Sequence, residues 1–483
     1  MDSAAIPVPP RLRERLTVPV LAFGGILMAV MQTVVVPLLP DLPRLTGASP
    51  GAVSWMVTAT LLAGAVLTPV LGRAGDMYGK RRVLLIALAL MTGGSVLCAL
   101  TSDIRLLIAA RALQGAAAAV VPLSISILRD ELPPHRTHSA VALMSSTVGI
   151  GAALGLPLAA LIVQYANWHV MFWATSALGA LGLALAWWAV RESPVRAPGR
   201  FDALGTAGLA AGLVSLLLGV SQGGQWGWGS ARVVGLFAAA VVILGLWAWQ
   251  QLRTASPLVD LRLAAGRRVG LPHVAAFFTG FAFYANSLVT AQLVQAPVAT
   301  GYGLGLSIVA TGLCMLPSGV IMLLFSPVSA RISAARGPRV TLAAGGVVLA
   351  LGYAVRIADS TDLWVILVGA AVVSTGTTLA YSALPTLILR AVPPGATASA
   401  NGVNVLMRTI GQAVSSAAVA AVLVHHTTRV GGAEVPALSG YQLAFAMAGT
   451  VALVATAVAL TVPADPASPA VGAAAPAIAT KGA

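Results

Sequence analysis

The chain has 483 residues, 58% of them hydrophobic and only 9% charged, with a mean hydropathy of +0.91. That is more apolar surface than a soluble core of this size can bury, which excludes a water-soluble globular protein. A net charge of +14 would direct a soluble chain towards nucleic acid; here the basic residues stand in short segments between apolar runs, where they orient a membrane protein instead.

Windows of about 20 apolar residues predict fourteen spanning helices, all-α and membrane-integral. A basic arm, 1–16, opens the chain, and the apolar run behind it is longer than a signal-peptide core, so it reads as a first span that stays in place. Six helices follow near 18–40, 52–71, 83–101, 105–128, 138–163 and 168–190, forming a first unit over 17–190. A linker and a central pair near 203–221 and 231–250 occupy 191–269. Six more helices lie near 271–294, 305–327, 339–356, 363–389, 399–424 and 441–462, a second unit over 270–463. The Ala- and Pro-rich tail, 464–483, reads as disordered.

If the N-terminus is cytoplasmic, 21 basic residues fall on that side and five, including Arg356, on the other; Arg111 and Arg408 lie within spans. This asymmetry fits an even number of helices with both termini in the cytoplasm of a cell-membrane protein. Cys98 and Cys314 stand in separate spans without metal-site spacing.

The stretch "GRAGDMYGKRR", Gly72 to Arg82, joins the second and third helices. Gly72, Gly75 and Gly79 permit a short turn and close backbone approach. Arg73, Lys80, Arg81 and Arg82 hold it at the headgroups. Asp76 can pair locally with Lys80 or Arg73, or sit at a helix N-terminus and latch one bundle to the other. "TPVLGRAGDMYGKR" from Thr68 also aligns without gaps with "SPVSARISAARGPR" from Ser326, keeping Pro69/Pro327, Arg73/Arg331, Gly79/Gly337 and Arg81/Arg339. The architecture is therefore two related six-helix bundles with an inserted pair.

These motifs resemble the major facilitator superfamily. Gly72, Asp76, Gly79, Lys80 and Arg81 match its GxxxDxxGRR signature, and "RALQGAAAAVVP" is similar to its fourth-helix motif at Arg111, Gln114 and Gly115. Fourteen spans and the outer loop "QGGQWGWGS" resemble its drug:proton antiporter branch. The resemblance implies a proton-coupled exporter of a small molecule, a single copy working in the bilayer with a proton gradient and no bound cofactor. It implies a role for Arg111 in proton coupling. The first helix departs from the branch pattern, with Met31 where a carboxylate is usual. In the fifth helix the antiporter motif keeps Gly151 and Gly155 and moves its proline to Pro157.

No acid lies well inside a predicted span, whereas Arg111 and Arg408 do, at a cost of a few kcal/mol each unless they face a polar cavity or partner. A cavity of that charge suits a neutral or anionic amphiphile over an organic cation. Asp41 at the outer end of helix one is the first candidate proton carrier, ahead of Asp76, His169 and His273. Gln32, Thr33, Asn286, Gln292, Asn404 and Gln412 are candidate cavity-lining residues. A membrane-embedded enzyme would need clustered nucleophiles, paired carboxylates or a metal constellation, and the sequence offers none. A nucleotide-driven pump would need a GxxxxGK[ST] loop, also missing. An uptake symporter of the same fold is the nearest alternative.

Overall fold

The computed structural model describes residues 10–463 apart from 40 and 431–432. The expected disordered tail lies outside the described residues, as does most of the basic arm.

Among the described residues, fourteen helices are long and apolar enough to cross a membrane. They are α1 (Pro10–Thr33), α2 (Pro50–Tyr78), α3 (Lys80–Leu100), α4 (Ile104–Glu131), α5 (Pro134–Tyr165), α6 (Trp168–Ala189), α7 (Ala203–Trp226) and α8 (Ala231–Arg253). After them come α9 (Arg267–Gln295), α10 (Ile308–Arg336), α11 (Pro338–Ala358), α12 (Leu363–Ala391), α13 (Thr397–His425) and α14 (Leu438–Thr461). Polar caps fix several starts: Ser49 accepts from Ala52 N–H, Asp103 from Arg105 and Leu106, and Asp362 from Trp364 and Val365.

Three local features differ from the sequence expectation. The first helix ends at Thr33, because Pro37 has no N–H to continue the ladder; a 3₁₀ turn, Val36–Leu38, follows. Asp41 therefore stands just before a separate short helix, Leu42–Thr46, instead of ending helix one. The fourth helix carries a 3₁₀ stretch at Gly115–Ala119. Between α13 and α14 a short antiparallel hairpin pairs Thr427–Val430 with Ala433–Pro436, favoured by β-branched Thr427, Thr428, Val430 and Val435.

Packing reproduces the internal repeat. In the first set α1 packs on α5 and α6, α3 on α4 and α6, and α2 on α4. In the second set α9 packs on α13 and α14, α11 on α12 and α14, and α10 on α12. Each contact of one set has its counterpart in the other. Two equivalent seams join the sets, α2 against α13 and α5 against α10. The inserted α7 packs on both α2 and α13, while α8 packs chiefly on α7 and leaves Val241, Leu246 and Trp249 exposed. Asp202 ties the pair together, accepting from Gly205 N–H and from the Gln250 and Gln251 side-chain amides.

Candidate functional site

At the end carrying the basic turn, the two sets are stitched by polar contacts. The sequence gives α13 no side-chain cap of its own at Ala396. Asp76, from the last turn of α2, supplies the cap from the other bundle: its carboxylate accepts from Ala398 N–H at 3.1 Å and Ser399 N–H at 2.8 Å. An anion at a helix N-terminus gains from both the free N–H groups and the helix dipole. The approach depends on Gly72, where a Cβ would lie 2.7 Å from the Ala398 carbonyl oxygen.

Lys80 does not pair with Asp76. Its ammonium, fully buried, meets Asp130 Oδ2 at 2.5 Å and donates to Thr397 Oγ1 at 3.1 Å. Ser193 donates to the same Asp130 oxygen at 2.6 Å, and Arg129 reaches the Val392 carbonyl. Gly79 has φ +116, a conformation that side chains rarely adopt, and a Cβ there would sit 2.7 Å from the Glu192 carboxylate. That carboxylate in turn caps α3, accepting from Arg81 and Arg82 N–H at 3.1 Å each. Arg81 donates to the Trp187 carbonyl at the end of α6. Arg73 is half-buried on the same turn.

Deeper in, Arg111 is 1% exposed and faces no described cavity. Its guanidinium donates to the Met31 carbonyl at 2.9 Å, the Met56 carbonyl at 3.4 Å and Gln114 Oε1 at 2.6 Å. Gln114 continues to Ser95, which reaches the Met31 sulfur. The backbone of Met31 thus does for Arg111 what no side chain of helix one can do.

Arg408 is the guanidinium at the bundle interface. It lies over the Tyr381 ring at 4.4 Å and lines a narrow cavity of about 50 Å³ together with Gln32, Thr60, Thr409 and Gln412. Thr409 and Gln412 also line a larger chamber of about 480 Å³ on the side away from the basic turn. Neither cavity has an Asp or Glu in its wall.

The remaining sequence candidates are elsewhere. Thr33 turns back to the Ala29 and Val30 carbonyls and packs against Gly155. Asn286 accepts from Arg356, Asn404 is buried without a partner for its side-chain N–H₂, and Gln292 lines no described cavity. Asp41 is exposed at the end away from the basic turn. In α5, a side chain at Gly151 would strike the Ile26 carbonyl, and Pro157 packs on Gly312 of α10, 2.9 Å from a Cβ built there.

Arg356 corrects the sequence reading. Counted on the outer side in the sequence reading, it lies in the last turn of α11, 0% exposed, against Asn286 and 4.0 Å from the Phe445 ring centroid. Among the described residues the interior therefore holds three guanidinium groups, not two. Asp130, Glu192 and Ser193 were also missed, because a polar residue beside a basic loop carries no mark of a partner fifty or more positions away.

The sequence profile of the Major Facilitator Superfamily matches residues 21–416, with a second match over 273–481. The chain belongs to the Major Facilitator Superfamily. It is similar to the multidrug resistance protein Stp of Mycobacterium tuberculosis, 29% identical over 83% of this chain and 74% of that protein. It is also similar to a probable actinorhodin transporter of Streptomyces coelicolor, 28% identical over 86% of this chain and 73% of that one. The fold matches the crystal structure of the human organic anion transporter MFSD10 with a TM-score of 0.65 and 18% identity, covering 94% of this chain and all of the other. Arg408 and its neighbours stand between the two bundles.

Proposed function

We propose that the chain is a proton-coupled secondary exporter of a small amphiphilic molecule, neutral or anionic, of the drug:proton antiporter branch, working by alternating access as a monomer in the cell membrane. The observation that carries this reading is the cap in trans. Asp76 of one bundle holds the first N–H groups of a helix in the other, a contact that must break whenever this end opens. With the basic loops and both termini in the cytoplasm, the structure is then the state closed to the cytoplasm, its chamber on the outer side. Gly72, Arg73, Asp76, Gly79, Lys80 and Arg81 form the latch, and Gly151, Gly155 and Pro157 the packing between bundles. Export as the direction is supported by the relatives, named as resistance and transport proteins.

The cargo's charge follows from the walls: Arg408 and no carboxylate. For proton coupling the reading keeps Arg111 and Asp41. Asp41→Asn with undiminished pH-driven transport would remove Asp41 from it. Everted vesicles with an acidified lumen test the whole. Accumulation of a weakly acidic amphiphilic antibiotic supports antiport; loss of preloaded antibiotic means uptake by symport. Preferential accumulation of a quaternary ammonium dye, unchanged by Arg408→Gln, overturns the charge reading.

A further inference from the structure

The inserted helices break the symmetry of the two bundles in one place. The α5/α10 seam is closed along much of its length by small residues, with Gly312 on Pro157 and Gly319 on Ala153. The α2/α13 seam is close-packed at the basic end, where Gly402 meets the Thr68 carbonyl and Pro69. Past Thr409 the two helices part. There α7 lies across the gap as an outer wall, held to α2 by the Thr58 and Ser221 hydroxyls 3.4 Å apart. The result is the chamber of about 480 Å³, within the range of small-molecule sites. Among the described residues the α5/α10 seam has no comparable cover.

The loop "QGGQWGWGS" finds its purpose here. The Trp228 indole folds back onto Gly223, where any side chain would strike the ring, and so lies in the chamber wall at the end of α7. Tyr284 adds a second aromatic ring, and Leu61, Leu62 and Leu217 an apolar surface. Ser221, Gln225, Gln412 and Ser416 supply uncharged donors and acceptors. His425 and Tyr284 are the only titratable side chains in the wall, and Arg408 belongs to the neighbouring constriction.

We propose that this chamber is the cargo subsite, that the inserted pair exists to wall it, and that it takes a flat, uncharged, largely apolar molecule with hydroxyl or carbonyl groups, stacked on Trp228. An aromatic face offers a flat ligand dispersion and stacking, while amides and hydroxyls satisfy its polar edge without requiring charge. The inference rests on the exporter reading only in calling the ligand a cargo.

The test is equilibrium binding to the purified full chain in nanodiscs, which needs neither a proton gradient nor a transport direction. Three probes differ in charge: dihydroxyanthraquinone, an anthraquinone carboxylate and a quaternary ammonium dye. The uncharged probe binds tightest. Trp228→Ala weakens it about tenfold while Trp228→Phe largely retains it. Gly224 lines the chamber with open space around its Cβ position, so Gly224→Leu fills the site without straining the helix and lowers affinity about tenfold to a hundredfold. Leu246→Ala, on the exposed face of α8, changes nothing. Wild-type affinity in both Trp228→Ala and Gly224→Leu overturns the site. A wild-type chain that binds none of the probes, or prefers a charged one, overturns the ligand class. Either result leaves the vesicle experiment to judge the exporter reading separately.

Discussion

The two repeated turns, Thr68 to Arg81 and Ser326 to Arg339, share a backbone and divide in their chemistry. Gly79 and Gly337 both take a positive φ, of +116 and +86, between the second and third helices of their sets. Arg81 and Arg339 both reach back to a carbonyl near the end of the sixth helix, Trp187 in one set and Leu460 in the other. The shared Gly79/Gly337 and Arg81/Arg339 therefore build each bundle. Residues that the turns do not share join the bundles: Asp76 and Lys80 have Ala334 and Pro338 as counterparts. Asp76 is fully buried on α13, whereas Ala334 is exposed. One turn is bonded to the start of a helix in the other bundle through Asp76 and Lys80.

Substitutions can break that division, beginning with the buried ion pair. Lys80→Met leaves the Asp130 carboxylate buried with the Ser193 hydroxyl as its remaining side-chain partner, a loss of about 3–5 kcal/mol. It is expected to lower the thermal unfolding midpoint more than any other change in either turn.

Asp76→Asn keeps the shape but not the charge. Its two charge-assisted bonds weaken by about 2–3 kcal/mol together, nearly all of it from the state closed at the basic end. Spin labels on the basic ends of α4 and α13 should move apart with little change in unfolding temperature. Unchanged distances would show that the cap does not set which end is closed.

Arg81→Ala and Arg339→Ala are expected to cost about 1 kcal/mol each in stability and to leave the same spin-label distances unchanged. Unequal effects on those distances would show that the shared arginines also take part in joining the bundles. The smallest effect belongs to Ala334→Asp, within about 0.5 kcal/mol, because a carboxylate at an exposed position stays in solvent. A closed-state shift from that change would mean that the second turn is a dormant latch.

The sequence by itself determined the fourteen spans, the repeat, the glycine-broken turn and the absence of acids from the middle of the spans. All of these are local: hydropathy adds along about twenty residues, and a turn needs only its own glycine. The cap that Asp76 provides joins residues more than 300 positions apart, and nothing near Asp76 distinguishes that partner from Lys80. Helices apolar on every side do not announce which face looks inward, so Gln32 and Gln412 came to the constriction while Thr33 and Asn286 turned into their own bundles. Arg356 stood at the very end of its predicted helix and was counted on the outer side, and only α9 and α14 packing over it made it interior. Likewise the tryptophan loop was visible from the start, but its role waited on α7 crossing the parted seam of α2 and α13. Composition decides that a helix enters the membrane; only its neighbours decide where its side chains go.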